Sequence, residues 1–98
     1  MMIMNFVKSE IEGLVIIEPK VFKDDRGYFF ESYNKKRLAD NGIDIDFVQD
    51  NQSLSQKGVL RGLHFQNPPY AQTKLVNVIK GSVLDIAVDI RKNSKTYG

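Results

Sequence analysis

The residue types best suited to chemistry crowd into one stretch, Phe47 to Lys74, which holds Gln49, Asp50, Asn51, Arg61, His64, Gln66, Gln72 and Lys74. His64 is the one histidine of the chain. Histidine titrates close to neutral pH, so His64 could pass protons. On spacing alone, a lone histidine is more often a structural residue held in the core. Lys74 could stabilise a developing oxyanion, and it could equally be a solvated lysine at the start of a strand. Arg26 and Arg61 have the planar donor fork that clamps phosphates, although either one alone reads as ordinary surface arginine. A metal role for His64 finds no support. The chain has no cysteine and no second histidine, whereas zinc and iron sites gather several such ligands. No glycine-rich phosphate loop and no serine or cysteine nucleophile motif is present.

These residues need a frame, and the frame reads as strands. Leu14 to Ile17 is a β-branched run closed by Pro19, and Val21-Phe22 starts another extended piece. Asp24-Asp25-Arg26-Gly27 has strong turn chemistry, and Tyr28 to Tyr33 is the aromatic returning strand. Phe47 to Asn51, Val59 to Gln66 and Lys74 to Ile79 are further expected strands, broken by Asn67-Pro68-Pro69 and by the turn Lys80-Gly81. From Val83 to Ile90 the pattern alternates: Leu84, Ile86, Val88 and Ile90 fall on one face, with Asp85 and Asp89 on the other. Either aspartate could pair with Lys74, Asp85 being the better placed. Asn34 to Asn41 is the best helix candidate, with Asn34 as its N-cap and Gly42 as its left-handed terminator. Its polar composition suggests a surface connection. Many short strands and one short surface helix argue for an all-β sandwich or barrel. Strict alternation along Val59 to Gln66 would put Arg61 and His64 on opposite faces, unless a bulge at Gly62 brings them together.

Composition sets the outer bounds. The 98 residues, 42% hydrophobic and 27% charged, suit one globular domain. A net charge of +2 is too small to indicate nucleic-acid binding. The apolar start, Met1 to Phe6, is too short for a signal-peptide core, and no apolar run reaches the length of a membrane span. About six strand-like segments fall short of the eight of a jelly roll. Residues 1–98 are therefore expected to be the N-terminal portion of a single domain whose C-terminal portion is absent.

Several motifs, in order along the chain, resemble the dTDP-4-dehydrorhamnose 3,5-epimerase family. They are Arg26-Gly27-Tyr28-Phe29-Phe30-Glu31, Phe47-Val48-Gln49-Asp50-Asn51, Gly58-Val59-Leu60-Arg61-Gly62-Leu63-His64-Phe65-Gln66, Ala71-Gln72-Thr73-Lys74-Leu75-Val76 and Asp85-Ile86-Ala87-Val88-Asp89-Ile90-Arg91. The resemblance implies a cupin-type jelly roll, a cytoplasmic homodimer, no metal and no organic cofactor. It implies a thymidine-diphosphate-linked 4-keto-6-deoxyhexose as substrate. His64 matches the family's base and Lys74 the lysine near the keto oxygen. Arg61 matches a substrate-binding arginine. Arg26, Glu31, Gln49 and Asn51 match positions that hold the nucleotide, with Asp50 inside the same motif. The family's acid, a tyrosine, and the aspartate that orients the histidine come from its later part, and neither Tyr70 nor Tyr97 matches. The 98-residue chain alone is therefore expected to be inactive. A related keto-sugar isomerase or mono-epimerase, and a non-catalytic sugar-nucleotide-binding module, are the alternatives.

Overall fold

A computed structural model of the chain describes residues 3–98, so Met1 and Met2 of the apolar start lie outside the described residues. The chain forms two units: Met1–Asp44 with Val83–Gly98, and Ile45–Ser82.

The first unit contains the regular structure. Strand β1 (Met4–Lys8) pairs antiparallel with β2 (Val15–Pro19), in a register that sets Phe6 opposite Ile17. Ser9 ties the connecting loop: its hydroxyl donates to the Leu14 carbonyl at 2.7 Å and accepts from the Ile11 N–H at 3.1 Å. Strand β1 was not foreseen. A terminal segment shows no turn before it, and only its partner β2 makes it a strand. Strands β3 (Phe22–Asp24) and β4 (Gly27–Phe29) form a second antiparallel pair. The Asp24 carboxylate accepts the Arg26 N–H at 2.8 Å and so fixes the turn, as the Asp-Asp-Arg-Gly run predicts. Gly27 leaves the turn at φ 136°, which favours a residue without Cβ. Strand β4 ends at Phe29, well short of Tyr33.

Helix α1 (Lys35–Asp40) has the expected ends. Asn34 Oδ1 accepts the Arg37 N–H at 3.0 Å, and Gly42 has φ 88°. A helix this short does not stand alone in water. It is anchored by Leu38, which at 2% exposure is the most deeply buried side chain among the described residues, with Met4 next in the core. The polar composition of α1 pointed to a surface connection. The structure agrees, with Lys35, Lys36 and Asp40 exposed, and adds that Leu38 faces inward as the helix's anchor in the core.

The C-terminal part of this unit is closed by a polar knot. The Asp89 side chain, 2% exposed, accepts hydrogen bonds from Arg91 Nε (2.9 Å), Ser94 Oγ (2.5 Å) and Thr96 Oγ1 (2.6 Å). Arg91 Nη2 also donates to the Glu12 carbonyl at 2.9 Å, joining the two ends of the unit. The Arg91 guanidinium, then the Ser94 and Thr96 hydroxyls and the Arg91 N–H, hold the Asp89 carboxyl far below the usual carboxylate range, against the opposing effect of burial. Because the folded value lies below the unfolded one, this stabilisation is present above the unfolded value and disappears as the pH falls through the folded value. The difference in melting temperature between the native chain and Asp89→Asn is therefore expected to be constant from about pH 5 to 8 and to shrink below about pH 4. Thermal melts across that range measure it.

The expected strands at Phe47–Asn51, Val59–Gln66, Lys74–Ile79 and Val83–Ile90 do not form ladders among the described residues. A strand requires a neighbour for its N–H and C=O groups, and the described residues provide none for these segments. The apolar alternation is unburied for the same reason: Leu84 is 89% exposed and Val48 91%. The observed fold is thus small β-sheets with one short helix.

Candidate active site

The Ile45–Ser82 unit holds most of the candidate residues and is shaped by turns. Gly58, at φ 88°, is the third residue of a turn closed by the Val59 N–H on the Gln56 carbonyl at 3.3 Å. At Asn67-Pro68-Pro69 neither proline has an N–H to donate, and the Tyr70 N–H closes the turn on the Asn67 carbonyl at 2.8 Å. This reversal lies between His64 and Lys74 and brings them together.

Lys74 Nζ stands 3.4 Å from His64 Nε2. An ammonium group donates and cannot accept, so in this contact Nζ is the donor and Nε2 the acceptor. The contact sets a side chain able to act as a base beside the cation that an enolate oxygen needs. Gly62, at φ 111°, lies close to this ring: a Cβ there would make ordinary van der Waals contact with His64 N and Nδ1, both at 3.7 Å. Arg61 is held separately, with its Nε donating to Ser55 Oγ at 2.9 Å. Since no ladder forms along this segment, no β-bulge is involved in placing Arg61 and His64. Gln49 Nε2 donates to Asn51 Oδ1 at 3.3 Å, and the Asp50 side chain is exposed.

Arg26 and Glu31 belong to the other unit. Arg26 Nη2 contacts Asp24 Oδ2 at 2.6 Å, with the arginine side chain 90% exposed. The Arg26 side chain and N–H hold the Asp24 carboxyl below its ordinary value, and Asp24 raises Arg26 in turn. So exposed a pair is weak, and Arg26 can leave Asp24 for a phosphate at little cost. Glu31 accepts from Arg37 Nε at 2.7 Å. Within its own unit Lys74 reaches His64, and the carboxylate held tightly in residues 83–90 is Asp89. Ser55 and Arg37 were missed because their partners lie six positions away on irregular backbone, where no periodicity marks them.

Among the described residues, no group of three or more His, Asp or Glu side chains is placed to hold a metal ion. No helix among them is long and apolar enough to cross a membrane.

The family model described as dTDP-4-dehydrorhamnose 3,5-epimerase matches residues 8–98. A Shigella flexneri protein of that name is 57% identical over 96 residues, covering 97% of this chain and 53% of the relative. A Methanothermobacter thermautotrophicus protein of the same name is 54% identical over 94 residues, covering 96% and 50%. The crystal structure of dTDP-4-dehydrorhamnose 3,5-epimerase from Elizabethkingia anophelis superimposes with a TM-score of 0.74 at 38% identity, covering 98% of this chain and 53% of that one. The chain spans about half the length of the curated relatives it matches. Matched by that family model from residue 8 to residue 98, the chain belongs to the dTDP-4-dehydrorhamnose 3,5-epimerase family.

Proposed function

We propose that this chain supplies the base and the oxyanion-stabilising cation of an epimerase that inverts C3 and C5 of dTDP-4-dehydro-6-deoxy-D-glucose, giving dTDP-4-dehydro-L-rhamnose. The observation that carries the reading is the His64–Lys74 hydrogen bond, 3.4 Å between Nε2 and Nζ. Both carbons flank the C4 ketone, so loss of either proton gives an enolate. Lys74 Nζ turns from Nε2 to O4, which frees the Nε2 lone pair of His64 to take the proton while the electron pair moves onto O4, where Lys74 meets the new charge. Reprotonation from the opposite face inverts the centre. Arg26, Glu31, Gln49 and Asn51 hold the nucleotide, some of them reaching across the dimer; Asp50 lies within the same motif, and Arg61 binds the substrate. On this reading residues 1–98 form the N-terminal portion of a cupin-type jelly roll in a cytoplasmic homodimer.

The test uses protein expressed from its complete reading frame, incubated with dTDP-4-dehydro-6-deoxy-D-glucose and followed by NMR. Inversion at both C3 and C5 is the expected outcome. Inversion at one carbon marks a mono-epimerase, migration of the ketone marks an isomerase, and dTDP binding without turnover marks a non-catalytic module. Any of these three overturns the proposal. Lys74→Met is expected to lower kcat about 10²- to 10³-fold by removing the charge opposite O4, while dTDP binding persists. Steady-state kinetics alongside calorimetric dTDP titration separates the two effects.

A further inference from the structure

We propose that Arg37 is a positioning residue for the nucleotide: it fixes the Glu31 carboxylate through one oxygen and leaves the other to accept from the ligand. The inference rests on the assignment of Glu31 to nucleotide binding above. Arg37 Nε donates to Glu31 Oε1 at 2.7 Å, with side chains 43% and 28% exposed. The other ion pair on the same helix, Lys36–Asp40, is 84% and 60% exposed. The two pairs therefore differ in kind, since the more sheltered one is less screened by water.

Arg37 is a firm base for this contact. Its N–H is held by the Asn34 side chain at 3.0 Å, and its carbonyl accepts from Asn41 Nδ2 at 2.8 Å. The next residue, Leu38, is the buried anchor of the helix. Glu31, by contrast, sits on irregular backbone between β4 and α1, where no ladder limits its motion. A side chain ordered before the ligand arrives does not lose that freedom on binding. Charge supports the same conclusion. A nucleoside diphosphate is anionic, and a bare carboxylate beside it would oppose its approach. The Arg37 guanidinium offsets that charge while leaving an oxygen free to accept a hydrogen bond.

The experiment is calorimetric titration of dTDP into protein expressed from its complete reading frame, with kinetics in parallel. Arg37→Met is expected to raise the Kd for dTDP about tenfold, from loss of a charge-assisted contact and of its ordering of Glu31. The loss should appear in KM rather than kcat. Lys36→Met removes the same charge from the same helix and should change Kd by less than about twofold. Arg37→Lys should fall between, because it keeps the charge without the fixed fork. In a Glu31→Gln background, Arg37→Met should add little, because its effect passes through Glu31. Wild-type protein that fails to bind dTDP overturns the nucleotide assignment and this inference with it. Wild-type binding with Arg37→Met no worse than Lys36→Met overturns this inference alone. So does a tenfold loss that persists in the Glu31→Gln background.

Discussion

Replacing His64 with alanine is expected to lower kcat about 10³- to 10⁴-fold in protein expressed from its complete reading frame, with KM changed only a few-fold. The size follows from the chemistry. In the proposed reaction both inversions begin by taking a proton from carbon, and His64 Nε2, 3.4 Å from Lys74 Nζ, is the group proposed to take it. The same proposal assigns nucleotide binding to other residues, so truncating the imidazole should remove an interaction made in the transition state and leave ground-state binding in place. Stopped assays of product formation at saturating substrate measure it. Retention of more than about a tenth of the native rate would mean that another group removes the proton.

Leu38→Ala is the substitution with the largest expected effect on stability, a loss of about 2–5 kcal/mol. Leu38 is 2% exposed and lies in a helix of 6 residues. Such a helix persists through burial of its apolar side chain rather than through propensity, so the cavity undermines the whole element. Denaturant unfolding followed by far-ultraviolet circular dichroism tests this. A loss below about 1 kcal/mol would show that α1 is held by its caps instead. Because Arg37 precedes Leu38, the same variant should also weaken dTDP binding, which links the core to the site.

The parts of this fold that could be read from the chain are those determined by a few adjacent residues. Asn34 and Gly42 marked both ends of α1, and Asp24 to Gly27 marked the turn between β3 and β4. Asn67-Pro68-Pro69 marked the reversal that returns Lys74 to His64. The parts that could not be read depend on a distant partner. Strand β1 exists because β2 pairs with it. The alternation of Leu84, Ile86, Val88 and Ile90 correctly describes an apolar face, but a face is buried only when something covers it, and these residues remain exposed. Asp89 misled in the opposite sense. Its place on the polar side of the alternation suggested solvent, whereas Ser94 and Thr96 fold back to enclose it.

At the candidate site, residue type and spacing left His64 more plausible as a structural histidine than as a base. The motif around it, Gly58 to Gln66 with Lys74 beyond, is what indicated epimerase chemistry. The structure adds the contact between the two side chains and the nitrogen involved. The hydrogen-bond partners of two candidate binding residues, Ser55 for Arg61 and Arg37 for Glu31, appear only in three dimensions.

The central claim is that His64 removes the protons flanking the keto group. Its most direct test is proton exchange with solvent, read by NMR on dTDP-4-dehydro-6-deoxy-D-glucose in deuterium oxide with wild-type and His64→Asn protein from the complete reading frame. The expected result is deuterium at both C3 and C5 with the wild type and at neither carbon with His64→Asn. Exchange at the wild-type rate in the His64→Asn protein would contradict the account.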